Sequence, residues 1–79
     1  MNVTVDSKMP KRIADEIYRV DRSVPAAARR LACRSDILWD WVRGEKHPSA
    51  AYLKRLYENG YDIIFILTGR RSQGGDSRA

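Results

Sequence analysis

Residues that could hold the fold together by covalent or metal bonds are scarce in this 79-residue sequence. One cysteine, Cys33, and one histidine, His47, cannot form an internal disulfide or a four-ligand zinc site, which excludes stapled secreted folds and zinc fingers. No apolar run approaches the roughly 18 residues of a membrane span, and the opening MNVTVDSKMPKR lacks the apolar core of a signal peptide. We therefore expect no metal, no cofactor, no membrane partner and a reducing, cytoplasmic location.

Charge, in contrast, is abundant and unbalanced. Fifteen Lys and Arg residues against ten Asp and Glu residues give a net charge of +5. Such a surplus favours contact with polyanions such as nucleic acid. A chain this short is near the size at which a single core is only marginally stable and oligomerisation helps. The sequence therefore predicts one basic domain that forms a homodimer.

Capping residues, proline and glycine divide the chain into five short helical segments, without internal repeats. Ser23, Ser49 and Asp62 each stand where a side chain can cap a helix N-terminus, and Gly44 stands where a helix can end with positive φ. The expected helices are Pro10 through Val20, Val24 to about Ala32, about Asp36 to Arg43, the segment from Ser49 to Asn59-Gly60, and Asp62 to Leu67.

The last apolar segment, DIIFILTG at residues 62–69, is compatible with a buried strand or a short helix. No second strand candidate exists to pair with it, and an isolated strand leaves backbone groups unsatisfied, so we favour the helix. The sequence thus predicts an all-α fold, a compact bundle of about five short helices at residues 9–69. A flexible N-terminal arm at 1–8 and a disordered C-terminal tail at 70–79 are expected to flank it.

Apolar residues at helical spacing identify the faces that we expect to be buried. In the first helix these are Ile13, Ile17 and Val20, widened by Ala14 and Tyr18. The corresponding faces of the second and fourth helices are formed by Ala27, Ala28 and Leu31, and by Leu53, Leu56 and Tyr57.

Charged residues of the first helix give no sign of catalysis. Asp15 and Glu16 are adjacent on the face expected to be exposed, and Asp15 is placed to pair with Arg19. No arrangement of nucleophile and base is apparent elsewhere, so we expect no catalytic residue and no enzymatic activity.

Two short helices joined by a tight turn after a longer first helix form a helix-turn-helix arrangement. The turn is Leu31-Ala32-Cys33-Arg34, with the small Ala28 in mid-helix, and it is followed by Trp41, RGEKHPS and the closing DIIFILTG. On these features the segment from Ser23 to Gly69 resembles the Cro/CI-type (XRE-like) phage repressor DNA-binding domain. The resemblance implies a lambda-repressor-like helix-turn-helix fold, with Cys33 and Trp41 in the core, and a dimeric transcriptional regulator that binds a double-stranded DNA operator.

The resemblance also implies a role for individual side chains. The third helix, about 35–43, would lie in the major groove with Ser35, Asp36, Trp39 and Asp40 toward the base edges. Phosphates would contact the start of the second helix and the cations around the third; these residues are Ser23, Val24, Arg34, Arg43, Lys46 and His47. The apolar run near the end of the domain would supply the dimer contacts of Ile64 and Phe65.

Several residues depart from the family pattern at the third helix. Asp36 and Asp40 are acidic where amides or basic groups are usual, and Arg34 replaces a capping serine, which leaves the start of this helix open. A carboxylate can accept a hydrogen bond from cytosine N4, and an apolar group can pack on a thymine methyl. Two functions stay open: a Cro/CI-like repressor, and a helix-turn-helix scaffold that contacts another protein, as an antirepressor or adaptor, through its apolar and acidic third helix.

Overall fold

The computed structural model describes residues 7–71, which form five α-helices and no strand. The helices are α1 (Met9–Val20), α2 (Val24–Leu31), α3 (Ser35–Arg43), α4 (Ala50–Glu58) and α5 (Ile63–Thr68). The predicted all-α bundle of five short helices is confirmed. Within these residues no helix combines the length and apolar character needed to cross a bilayer. Residues 1–6 of the predicted arm (1–8) and residues 72–79 of the predicted tail (70–79) lie outside the described residues.

The capping residues begin and end the helices where the sequence predicts. The Ser23 Oγ accepts from the Ala26 amide at 3.2 Å, and the Ser49 Oγ accepts from the Tyr52 amide at 3.3 Å. Asp62 caps α5 in the same way, which confirms the helical interpretation of DIIFILTG. At the end of α3, Gly44 has φ of +78°, and a Cβ there would approach the Pro10 ring to 3.2 Å.

The core lies where α1, α2 and α3 meet and extends to α4 and α5. Its buried apolar side chains are Met9, Ile13, Ile17, Val24, Ala27, Ala28, Leu31, Leu38, Trp41, Leu56, Tyr61 and Ile66. Cys33 is half-buried against this cluster, as expected for an apolar turn position, and burial raises the pKa of its thiol, although Arg55 opposes the increase.

Four expectations about α1 and α4 are wrong. Tyr18 and Tyr57 are exposed rather than part of the buried faces. Glu16 is fully buried rather than exposed, and Asp15 pairs with Lys11 at 3.4 Å rather than with Arg19, which bonds Glu16 instead. The buried stripe of α1 is therefore rotated toward Glu16, which lies beside Ile13 and Ile17 in the interior.

Candidate nucleic-acid interface

A left-handed residue makes the turn between α2 and α3. Ala32 has φ 57° and ψ 46° and ends α2, so the helix is one residue shorter than predicted. The Cys33 amide donates to the Ala28 carbonyl at 3.0 Å, which closes the helix end in the manner of a Schellman motif. Arg34 is extended and takes the N-cap position without a side-chain cap, and α3 begins at Ser35.

The packing of α3 separates an inner from an outer face. Leu38 and Trp41 are buried, and Trp41 meets Tyr52 edge-on with ring centroids 5.1 Å apart. Ile37 and Val42 are partly buried against the core, which leaves Trp39 as the exposed large apolar side chain of this helix. The outer face is formed by the residues predicted to read bases, Ser35, Asp36, Trp39 and Asp40.

Within that outer face, both carboxylates pair with arginines. Asp36 accepts two hydrogen bonds from Arg34, at 3.1 and 2.7 Å, and Asp40 accepts one from Arg43 at 3.0 Å. Arg43 also lies 3.5 Å from Glu45. The acidic character of α3 is therefore locally compensated. Trp39, with 38% of its surface exposed, stands between these two pairs along the helix.

Two further cations follow α3 in an exposed loop. Lys46 and His47 are exposed, and within residues 7–71 their side chains make no hydrogen bond or ion pair. Their backbone is fixed nevertheless, since the amides of Glu45 and Lys46 both donate to the Asp40 carbonyl, at 2.9 and 3.3 Å. This loop can present positive charge to a phosphate close to the end of α3.

The start of α2 is less suited to a phosphate than the sequence suggests. Val24 is 1% exposed and its side chain belongs to the core, so it offers no side-chain contact, and a phosphate contact through its backbone amide stays a prediction. Pro25 has no N–H, and the next two amides, of Ala26 and Ala27, donate to the side chain and the carbonyl of Ser23. Ser23 can offer its hydroxyl hydrogen to a phosphate, while its oxygen already accepts from the Ala26 amide.

The predicted dimer residues differ in their exposure. Ile64 is 47% exposed and Leu67 44%, whereas Phe65 is half-buried with the Arg71 guanidinium 3.8 Å from its ring centroid. Beside them lies an open groove of about 350 Å³ between α4 and α5. Its lining includes Leu53, Tyr57, Ile63 and Ile64. The surface at this end of the bundle is therefore largely apolar. Ile64 belongs both to the exposed face of α5 and to the lining of the groove.

Sequence reasoning missed a buried charge cluster between α1 and the loop before α5. Both oxygens of Glu16 accept from Arg19, at 2.9 and 2.7 Å, and one also accepts from the Asp62 amide at 2.8 Å. Arg71 donates to the other. Burial would raise the pKa of Glu16, but these hydrogen bonds outweigh it and lower the pKa to about 2.

A second cluster joins the end of α1 to α2 and the α4–α5 loop. Asp21 accepts from Arg30 at 2.6 Å and from the hydroxyl of the buried Tyr61. Burial would raise the pKa of Asp21, yet the bonds from Arg30 and Tyr61 lower it. Arg30 also donates to the Asn59 carbonyl at 2.6 Å. These two clusters use Arg19 and Arg30 in folding, so neither can be counted among the cations free to meet a ligand.

No protein-family model, curated protein or solved structure matches this chain. Within residues 7–71, no group of three or more His, Cys, Asp or Glu side chains is arranged to hold a metal ion. The candidate interface is formed by the outer face of α3 and the loop that follows it.

Proposed function

We propose that this chain is a sequence-specific DNA-binding transcriptional regulator of the Cro/CI repressor type, acting in the cytoplasm, with α3 in the major groove. The observation that carries the proposal is the exposed polar face of α3 directly after a three-residue turn from α2. Ser35, Asp36, Trp39 and Asp40 share that face, while Leu38 and Trp41 anchor the opposite face in the core. A helix supported in this way can enter a groove without disturbing the fold.

Phosphate contacts would come from the cations at the end of α3. Arg43, Lys46 and His47 are exposed there, and the chain carries a net charge of +5. Cations that flank a groove-binding helix attract the phosphates and fix the register of the protein, while the helix itself supplies sequence preference. The pairing of Asp36 and Asp40 with arginines reduces the repulsion that two bare carboxylates would meet in the groove.

A dimer would place two copies of α3 in successive major grooves. Half-sites would then be separated by about one helical turn, roughly 34 Å, and the operator would be palindromic. Ile64 and Phe65 would contribute to a symmetric contact, together with the apolar surface beside the groove between α4 and α5.

A second candidate function is protein contact through α3, as an antirepressor or adaptor. Trp39 favours it, because an aromatic ring that is 38% exposed beside two neutralised ion pairs resembles the anchor of a protein interface. In that case the partner would cover the same outer face, and DNA would compete with it only through charge.

Selection of bound duplexes from a random pool distinguishes the two functions. For a DNA-reading helix we expect a defined enriched site, and Asp40→Asn should shift the preference at one base pair by about 1 to 3 kcal/mol while binding to unrelated duplexes rises or stays level. Lys54→Ala, on the exposed side of α4, serves as the control variant. Protein contact would be established instead by two results together. Neither wild type nor Asp40→Asn would enrich a DNA site, and wild type would capture a protein partner that folded Trp39→Ala loses.

A further inference from the structure

Arg34 and Asp36 form the best-defined ion pair on the exposed face of α3. The guanidinium donates from Nε to one carboxylate oxygen at 3.1 Å and from Nη2 to the other at 2.7 Å. This side-on arrangement is bidentate, so it fixes the plane of the guanidinium as well as its position. Arg43, by contrast, reaches Asp40 through Nη2 alone.

Folding gives no evident reason for this pair. Both side chains are largely exposed, at 80% and 60%, and the two residues are only two positions apart, so the pair fastens no other element to α3. Exposed ion pairs of this kind contribute little to stability. Arg34 also makes no other side-chain hydrogen bond within residues 7–71, and it supplies no cap to the helix that it precedes. The pair therefore fixes the position of the Arg34 guanidinium, which in the described part of the chain makes no other side-chain hydrogen bond that would stabilise the fold.

The geometry leaves one edge of Arg34 available. A guanidinium has five N–H groups, and the carboxylate of Asp36 occupies the Nε–H and one Nη2–H. The remaining Nη2–H and the Nη1–H beside it form a second fork on the end of the side chain. Two parallel donors of this kind match the O6 and N7 acceptors of guanine in the major groove.

We infer that Arg34 reads a guanine with its end-on Nη1/Nη2 edge, and that Asp36 is a positioning residue that holds Arg34 in the required plane. This inference rests on the proposed function and changes two expected roles, since the sequence assigned Arg34 to a phosphate and Asp36 to a base. It also accounts for an acidic residue at the start of a groove-binding helix. Asp36 acts on the DNA through Arg34, and its charge is neutralised by the same contact.

The position of Arg34 in the fold agrees with this role. In helix-turn-helix proteins the first residues of the recognition helix approach the base edges. In this fold the recognition helix would be α3, and Arg34 immediately precedes it. Arg43 ends the same helix and lies beside the loop with Lys46 and His47. Arg34, just before α3, would therefore contact a base, and Arg43, at the end of α3, would contact a phosphate.

Random-duplex selection with four variants tests the inference. Wild type should enrich a site that has one defined guanine in each half-site. The sites enriched by Arg34→Lys and by Asp36→Asn should no longer require that guanine. Lysine keeps the charge but loses the two parallel donors, so the preference of Arg34→Lys for that guanine should be roughly tenfold below that of wild type. Asp36→Asn should lower the guanine preference about fivefold without weakening binding to unrelated duplexes. Arg43→Lys, at the proposed phosphate contact, should change the affinity for all duplexes about equally while the guanine is still required. Asp15→Asn, which alters the exposed Lys11–Asp15 pair on α1, is the matched control and should behave as wild type.

The outcomes separate the inference from the proposed function. An enriched site that lacks this guanine, or whose guanine preference survives both Arg34→Lys and Asp36→Asn, overturns the inference and leaves the proposed function standing. A wild type that enriches no site overturns both. Loss of folding is distinguished by the thermal melting curve of each variant, which we expect to match wild type because the pair is exposed.

Discussion

Among single residues, Glu16 connects parts of the chain that are far apart in the sequence. It is fully buried, and its partners Asp62 and Arg71 are 46 and 55 positions away in the sequence. A buried carboxylate is tolerated only when it is paired and hydrogen-bonded, and here Arg19, Arg71 and the Asp62 amide meet both oxygens. Glu16 therefore joins α1 to the beginning of α5 and to the residues that follow α5.

This contact predicts a stability that depends on pH. The pKa of Glu16 is about 2 in the folded protein against an ordinary value of 4.5, so its contribution is complete above about pH 4.5 and is lost as the pH falls toward 2. That difference corresponds to about 3 kcal/mol in the free energy of unfolding. We expect urea unfolding to show this loss in wild type and not in Glu16→Gln, which should be less stable at pH 7.

Asp15→Asn is the control for that measurement. It alters the neighbouring carboxylate, which is exposed and paired only with Lys11, and should follow the wild-type profile. Asp21 also has a lowered pKa and contributes to acid sensitivity in both wild type and Glu16→Gln. The contribution of Glu16 is therefore the difference in unfolding free energy between the two proteins at each pH. Parallel profiles of wild type and Glu16→Gln between pH 5 and 2 would contradict the assigned role of Glu16.

The sequence could not identify Glu16 as a buried residue. Local spacing places it beside Asp15 on a charged stretch of α1, and helical pairing rules consider only partners three or four positions away. Asp62 and Arg71 come close to it only after α5 has packed on α1. The burial of Trp41, by contrast, was implied by the resemblance of residues 23–69 to a known domain, and Trp41 is buried in the structure.

Between helices, the turn from α2 to α3 determines how the candidate interface is presented. Ala32 adopts the left-handed conformation there, which costs an alanine roughly 1 kcal/mol relative to glycine. The caps at Ser23, Ser49 and Asp62 were predictable because each depends on a side chain and an amide within three residues. The one-residue shortening of α2 was not, since alanine is the strongest helix former and gives no signal of a helix end.

Glycine at this turn should stabilise the protein. We predict that Ala32→Gly raises the free energy of unfolding by about 0.5 to 1 kcal/mol, because relief of the left-handed strain exceeds the added flexibility of the unfolded chain. Ala14→Gly, in the middle of α1, should lower it by about 1 kcal/mol. Urea unfolding of the three proteins measures both effects. A destabilised Ala32→Gly would mean that the turn is not left-handed in solution.

For the protein as a unit, the apolar surface around Ile64 raises the question of assembly. Ile64, Leu67 and Tyr57 are all exposed at the end formed by α4 and α5, although the core already contains Leu56 and Ile66. Apolar spacing could not separate these groups, because a run such as IIFIL on a short helix has apolar residues on every face. Only packing against α1 and α4 assigns Ile66 inward and Ile64 outward.

We predict that Ile64→Asp prevents dimerisation and weakens operator binding. A buried, unpaired carboxylate would oppose a symmetric contact, and loss of the dimer removes the advantage of binding two linked half-sites. Sedimentation equilibrium, alone and with operator DNA, measures the effect, and Tyr18→Ser is the control for loss of an exposed apolar group on α1. A wild type that stays monomeric well above the concentration needed for binding, and on DNA as well, contradicts this assembly.

The central claim is that the outer face of α3 reads DNA sequence, and it is tested most directly by one ratio. This ratio compares the affinity for the selected duplex with that for an unrelated duplex of equal length at physiological salt. We predict a ratio of about 10³ or more for wild type. Lys46→Ala should leave the ratio unchanged while it weakens both affinities and lowers the slope of log affinity against log salt by roughly 0.9. A wild-type ratio near one, with the salt dependence of ordinary charge attraction, would contradict the claim.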